Sequence, residues 1–165
     1  MSRAFTKEDG WEEPVVPPRA ALPAGVPNYV TPRGLLLLRE EHAALETARA
    51  RLDAEIPDAD ARRARRTVLT RRLEELVARI AGAEVVDPPL QSRDRARFGA
   101  QVTLRDAPGG TRTFQIVGVD EADPDAGRIS FLAPLARAVL GTAVGDAIEF
   151  RGDRWKVETI EYDSA

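Results

Sequence analysis

The chain has no cysteine and a single histidine among its 165 residues. Without thiols, disulfides and cysteine-ligated metals are excluded, and a cytoplasmic protein becomes the default. With His42 as the only imidazole, Cys–His and Ser–His arrangements cannot be assembled elsewhere, and Ser92 and Ser130 have no base nearby in the sequence. His42 itself lies on a helical seam without visible ligating partners, so a packed or half-exposed histidine is expected there. No run approaches the ~20 apolar residues that span a bilayer. The longest leucine block, Leu35 to Leu38, is flanked by charges, and the opening Met-Ser-Arg-Ala-Phe-Thr-Lys-Glu carries no apolar core of the secretory type. A formal net charge of −3 argues against a generic nucleic-acid binder. A phosphate loop is missing too: Pro108-Gly-Gly lacks the following Lys-Ser/Thr and helix, and reads as a hairpin turn.

What is present is a strong helical period. From Leu35 through Leu38, His42, Leu45, Arg49 and Leu52 to Ile56, steps of three and four alternate, which is the seam of an antiparallel coiled coil. Leu69, Leu73, Leu76 and Ile80 continue the rule on a second arm. Thr31-Pro32 opens the first helix as cap and first-turn proline, and Pro57 closes it by disfavouring α geometry at Ile56. Two arms of about 24 residues at ~1.5 Å per residue make a rod of roughly 36 Å. Pairing the arms about the turn sets Leu38, His42 and Leu45 against leucines, but Arg49 against Arg66 and Leu52 against Arg62. A well-packed base and a mobile tip are therefore expected.

Residues 1–30, with prolines at 14, 17, 18, 23 and 27 and few branched apolar residues, read as a flexible arm. Phe5 and Trp11 in it could dock or simply be exposed. Beyond Gly82, which suits a helix C-terminus, Ala83-Glu-Val-Val-Asp leads out as an extended segment. From Phe98 the period turns to alternation. Strands are expected over 101–105, 113–120, 128–132, 147–151 and 155–162, with a short helix opened by Pro134 over 134–140. The expected fold class is α+β: an N-terminal antiparallel α-helical coiled-coil hairpin over 31–87, then an antiparallel sheet with one short helix over 88–165.

These residues resemble the Gre-type (GreA/GreB) transcript cleavage factor family. Thr31-Pro-Arg-Gly-Leu-Leu-Leu-Leu-Arg-Glu-Glu is similar to the family's opening Thr-x-x-Gly, leucines and Arg-Glu-Glu. Ala83-Glu-Val-Val-Asp looks like its hairpin exit, Phe98-Gly-Ala-Gln-Val-Thr-Leu its first globular strand, and Ile116-Val-Gly-Val-Asp-Glu-Ala-Asp its central strand and turn. Ile129-Ser-Phe-Leu-Ala-Pro-Leu-Ala-Arg-Ala-Val-Leu-Gly, followed by Val144-Gly-Asp, is similar to its most specific signature. The resemblance spans 31–162 in order.

The resemblance implies an FKBP-like globule docking beside the secondary channel of bacterial RNA polymerase, with the hairpin entering the channel. It further implies that tip acids help hold a catalytic Mg²⁺ at the polymerase active site, so that backtracked RNA is hydrolysed; the factor has no cofactor of its own and is not itself an enzyme. The candidates here are Asp58 and Asp60, with Glu55 and Asp53 beside them. The family's Gly-Asp-Leu-x-Glu-Asn-like stretch is not present in Asp53-Ala-Glu-Ile-Pro-Asp-Ala-Asp-Ala, and the hairpin is shorter by roughly a dozen residues, or ~9 Å of reach. Asp58 is also a natural N-cap, and Asp60 a first-turn acid favoured by the helix dipole. Arg62, Arg63, Arg65 and Arg66 could meet phosphates of nascent RNA, or pair with neighbouring acids. Asp120, Glu121, Pro134 and Arg137 match the part of the family facing the polymerase rim, and equally suit turn and cap chemistry. A prolyl isomerase follows from fold alone and fold does not carry activity. A third reading is an interaction module akin to short-hairpin regulators of nucleoside diphosphate kinase. A monomer is expected, since the hairpin satisfies its own seam.

Overall fold

The computed structural model describes residues 19–87 and 94–162. Helix α1 runs Pro32–Glu55 and α2 runs Ala59–Ala81. Thr31, in extended geometry, caps α1 by accepting a hydrogen bond from Gly34 N at 2.9 Å, and Pro32 occupies the first turn. The helix stops where Pro57 forces Ile56 to be extended. Asp58 then restarts the chain by accepting from Ala61 N at 2.7 Å.

Leu38, Leu69, Leu73 and Leu76 are buried between the arms, and Leu38 and Leu76 join Val30 in a cluster flanked by Leu35, Leu45, Ile80 and Ala83. The distal half differs from the pattern expected for it. Leu52 is only 3% exposed although no leucine faces it across the turn. Just beyond it in the chain, Arg62 anchors its guanidinium on Ile56 O at 2.8 Å and lies 3.2 Å from Asp53.

The proline-rich arm is also more ordered at its end than composition predicts. Strand β1, Asn28–Val30, pairs in parallel with β2, Ala83–Val85, and Val86 N continues the ladder to Val30 O. The reason is local: Val30 has a hydrophobic cluster to join at the foot of the hairpin, and Asn28 donates to Arg79 O at 2.8 Å near the end of α2. The readings of Phe5, Trp11 and Ser92 lie outside the described residues.

Five further strands, β3 (Gln101–Asp106), β4 (Thr111–Val117), β5 (Arg128–Ser130), β6 (Ala147–Phe150) and β7 (Asp153–Glu161), form one sheet in the order β5-β4-β3-β7-β6. The sheet is mixed rather than antiparallel, because β5 runs parallel to β4 with Gln115 opposite Arg128. Between them the chain does not make a tight hairpin. It loops through residues 118–127, including a 3₁₀ turn at Pro124–Ala126, and returns in the same direction, with Asp123 and Arg128 exchanging backbone hydrogen bonds. Helix α3, Pro134–Val139, sets Leu135, Ala136 and Val139 into a core with Val102, Leu104, Phe114, Ile116 and Val157. At the edge of this core the Tyr162 hydroxyl donates to Arg95 O at 2.7 Å and accepts from Arg97 N at 3.1 Å. Burial pushes its pKa above the ordinary tyrosine range.

Candidate functional site

Two places on this scaffold gather polar side chains: the foot of the hairpin, where it meets the sheet, and the tip. At the foot, Glu121 is 6% exposed and accepts the Thr31 hydroxyl hydrogen bond at 2.5 Å, while its other oxygen lies 3.5 Å from Arg33. The Thr31 hydroxyl thus works in both directions, accepting from Gly34 N and donating to Glu121. The first turn of α1 holds no acid of its own. Glu121 places a negative charge at that positive helix end from the other half of the molecule.

Two glycines make this approach possible. A Cβ on Gly34 would stand 2.8 Å from Glu121 Oε2, and one on Gly118 would stand 2.6 Å from the carbonyl oxygen of Tyr29. Both distances are too short for carbon against oxygen. Above this contact the rings of Tyr29, Phe98 and Phe131 form a triangle with centroids 5.7 to 5.9 Å apart, fastening β1 to the sheet.

Asp120 sits beside Glu121 with its side chain 8% exposed and receives two arginines. Arg19 Nη1 reaches Oδ1 at 2.5 Å, and Arg79 Nε lies 3.3 Å from Oδ2. Oδ2 has no hydrogen bond of good geometry, so its contact with Arg79 is one of charge. The second branch of Arg19 reaches Glu41 at 2.5 Å, and Arg79 also donates to Ala20 O. Burial works against the charge on Arg19, but its hydrogen bonds to Glu41 and Asp120 prevail and hold its pKa above the ordinary arginine value. Asp120 and Glu121 are therefore not on a rim facing outward. Both carboxylates are consumed in joining the halves, because the turn after β4 points into the hairpin foot.

At the tip, Asp58 is engaged as the cap of α2, and Asp53 is held by Arg66 at 2.9 Å and Arg62 at 3.2 Å. Asp60 lies in the first turn of α2, and Glu55 is the last residue of α1; both are exposed. Mg²⁺ asks for near-octahedral oxygen coordination. Among the described residues no three His, Cys, Asp or Glu side chains come together as such a site. The pair Asp58 and Asp60 does not fit an ion held by this chain alone. Arg63 and Arg65 carry no ion pair among the described residues, whereas Arg62 and Arg66 are tied to Asp53.

Pro134 and Arg137 stand on α3, both exposed, with Pro134 in its first turn. Ala133 occupies the N-cap position and makes no side-chain cap bond. His42 is 29% exposed in its side chain and 3.9 Å from Glu46, the half-exposed seam position expected. The sequence-based reading did not find Arg19, Tyr29 or Arg79 as members of the foot. For Tyr29 a signal existed: Asn-Tyr-Val is a β-forming triplet directly before the Thr31 cap. Nothing in the sequence marks Arg19 out from the other arginines.

The geometry defines a hairpin-bearing α+β protein, a two-helix rod clamped by its foot to a small curled sheet. The chain belongs to the GreA/GreB family of transcription elongation factors. Residues 91–162 match the family model described as transcription elongation factor, GreA/GreB, C-term. The transcription elongation factor GreA of Ralstonia nicotianae is 36% identical over 152 residues, covering 81% of this chain and 96% of its own length. That of Desulfovibrio desulfuricans is 34% identical over 141 residues, covering 78% and 87%. Among solved structures, GreA/GreB from Nitrosomonas europaea is 23% identical with a TM-score of 0.40, covering 83% of this chain and 99% of its own length. No helix among the described residues is long and apolar enough to cross a membrane.

Proposed function

We propose that this protein regulates transcript elongation by binding bacterial RNA polymerase at the secondary channel. The hairpin over 31–87 enters the channel, and the part over 88–165, read as FKBP-like, docks beside it. The observation that carries this reading is the clamped rod: α1 alone has 24 residues, about 36 Å of helix, and its foot is fixed to the sheet through Thr31, Glu121 and Asp120. A rod fixed at one end delivers its tip to a set depth. Exposed Pro134 and Arg137 remain for contact with the polymerase, and Arg63 and Arg65 for phosphates of nascent RNA.

A second reading, occupancy of the channel without cleavage, is favoured by the state of the tip. Asp58 and Asp53 already have partners within the chain, so Glu55 and Asp60 are the acids left to approach a polymerase-held Mg²⁺. The same reading treats this chain as a regulator with no catalytic step of its own. Prolyl isomerisation has no support from the aromatic residues: Phe98, Phe114 and Phe131 are packed into the core or the foot.

The test mixes stalled, backtracked elongation complexes with the protein and Mg²⁺ and scores binding and RNA shortening together. Binding is expected, with shortening weak or absent. Robust shortening would overturn the occupancy reading. Failure to bind would overturn the polymerase reading and leave the regulator of nucleoside diphosphate kinase type as the alternative.

A further inference from the structure

The contacts at the foot are not equivalent in leverage. Glu121 grips Thr31 and Arg33, at the very start of α1. Contacts there hold the pivot and resist rotation of the rod weakly. Arg19 does something else, because its two guanidinium branches span Asp120 on the sheet side and Glu41 on α1. Glu41 is ten residues beyond Thr31, about 15 Å up the helix. The strap that carries Arg19 is itself held, since Arg79 donates to Ala20 O and β1 is paired to β2.

We propose that Arg19 is a positioning residue, a strut that sets the angle between the hairpin and the sheet and so the place of the tip. The lever ratio makes the point quantitative. A looseness of about 1 Å at Glu41 becomes about 2 Å at the end of a helix of roughly 36 Å. The arrangement depends on the planar fork of arginine, which engages two carboxylates at once; a lysine ammonium at the same place lacks that geometry. The cluster is also balanced, with Arg19 and Arg79 facing Glu41 and Asp120, so it carries no net charge; its Asp120 end is buried and its Glu41 end lies in solvent.

The absence of cysteine lets the angle be measured directly. Cysteines introduced at Ala54, near the tip, and Asp153, on the sheet, are spin-labelled in the full chain, and the distance distribution between them is read by pulsed dipolar spectroscopy. Arg19→Ala is expected to broaden that distribution, by about 2 Å at the tip for each ångström of looseness gained at Glu41. Arg19→Lys should fall between, and Glu41→Gln, which leaves Asp120 paired, should broaden it as well. An unchanged distribution in Arg19→Ala overturns the proposal. Broadening in Arg19→Ala but not in Glu41→Gln also overturns it, because the effect would then arise at the pivot. The measurement uses the free protein, so it is independent of whether polymerase is the partner.

Discussion

At the scale of single residues, the Thr31 hydroxyl is the most connected atom of the foot. Thr31→Val keeps the shape and loses both the cap and the donor to Glu121. Loss of a cap costs about 1 kcal/mol, and a buried carboxylate left without its donor costs about 1 to 3 kcal/mol more. Denaturant unfolding should therefore show a loss of about 2 to 4 kcal/mol, and Thr31→Ser should recover most of it. Tyr162 makes a prediction in pH. Its folded pKa is raised above the value of 10.0 it takes when unfolded, so the stability it contributes is complete below that value. That contribution is lost as pH rises through the folded pKa, because a phenolate cannot donate to Arg95 O. In Tyr162→Phe, stability near neutral pH should fall by about 1 kcal/mol. Its decline between about pH 9 and 11 should be shallower than in the parent, as unfolding curves across that range would show. Residue roles were only partly legible in the sequence. Thr31 and Asp58 could be read as caps because capping is a local event. Glu121 and Asp120 could not be read, because their partners Thr31 and Arg79 lie 90 and roughly forty positions away and no short-range pattern links them.

At the scale of elements, the hairpin was legible almost to the residue. Its stop at Pro57 and restart at Asp58 are chain-local, and its seam repeats for several turns. The sheet was legible strand by strand but not in its pairing. Alternation reports that a segment is extended, and is silent on whether a ten-residue loop such as 118–127 brings β5 back parallel or antiparallel to β4. Within the hairpin, the base holds the leucine cluster, while the tip has buried Leu52 and the bond from Arg62 to Ile56 O. Amide exchange should therefore be slower over Leu73–Ile80 than over Ala59–Arg65, by about a hundredfold or more. Equal protection in the free protein would mean that the tip is held as firmly as the leucine-packed base.

At the scale of the whole molecule, charge explains little and the joint explains much. The net charge of −3 gave a bound on partners and nothing about shape. The joint draws on residues 19, 29, 31, 34, 79, 118, 120 and 121, which no window of sequence contains together. The parallel pairing of β1 with β2 has a kinetic meaning as well. Asn28 and Ala83 are partners only across the whole length of the hairpin. Closing so long a loop from an unfolded chain is entropically costly and slow, whereas helical hairpins form through local contacts. The two helices, once zipped, bring the strands to one end without a search. The hairpin is thereby the element whose early formation makes the rest of the fold reachable.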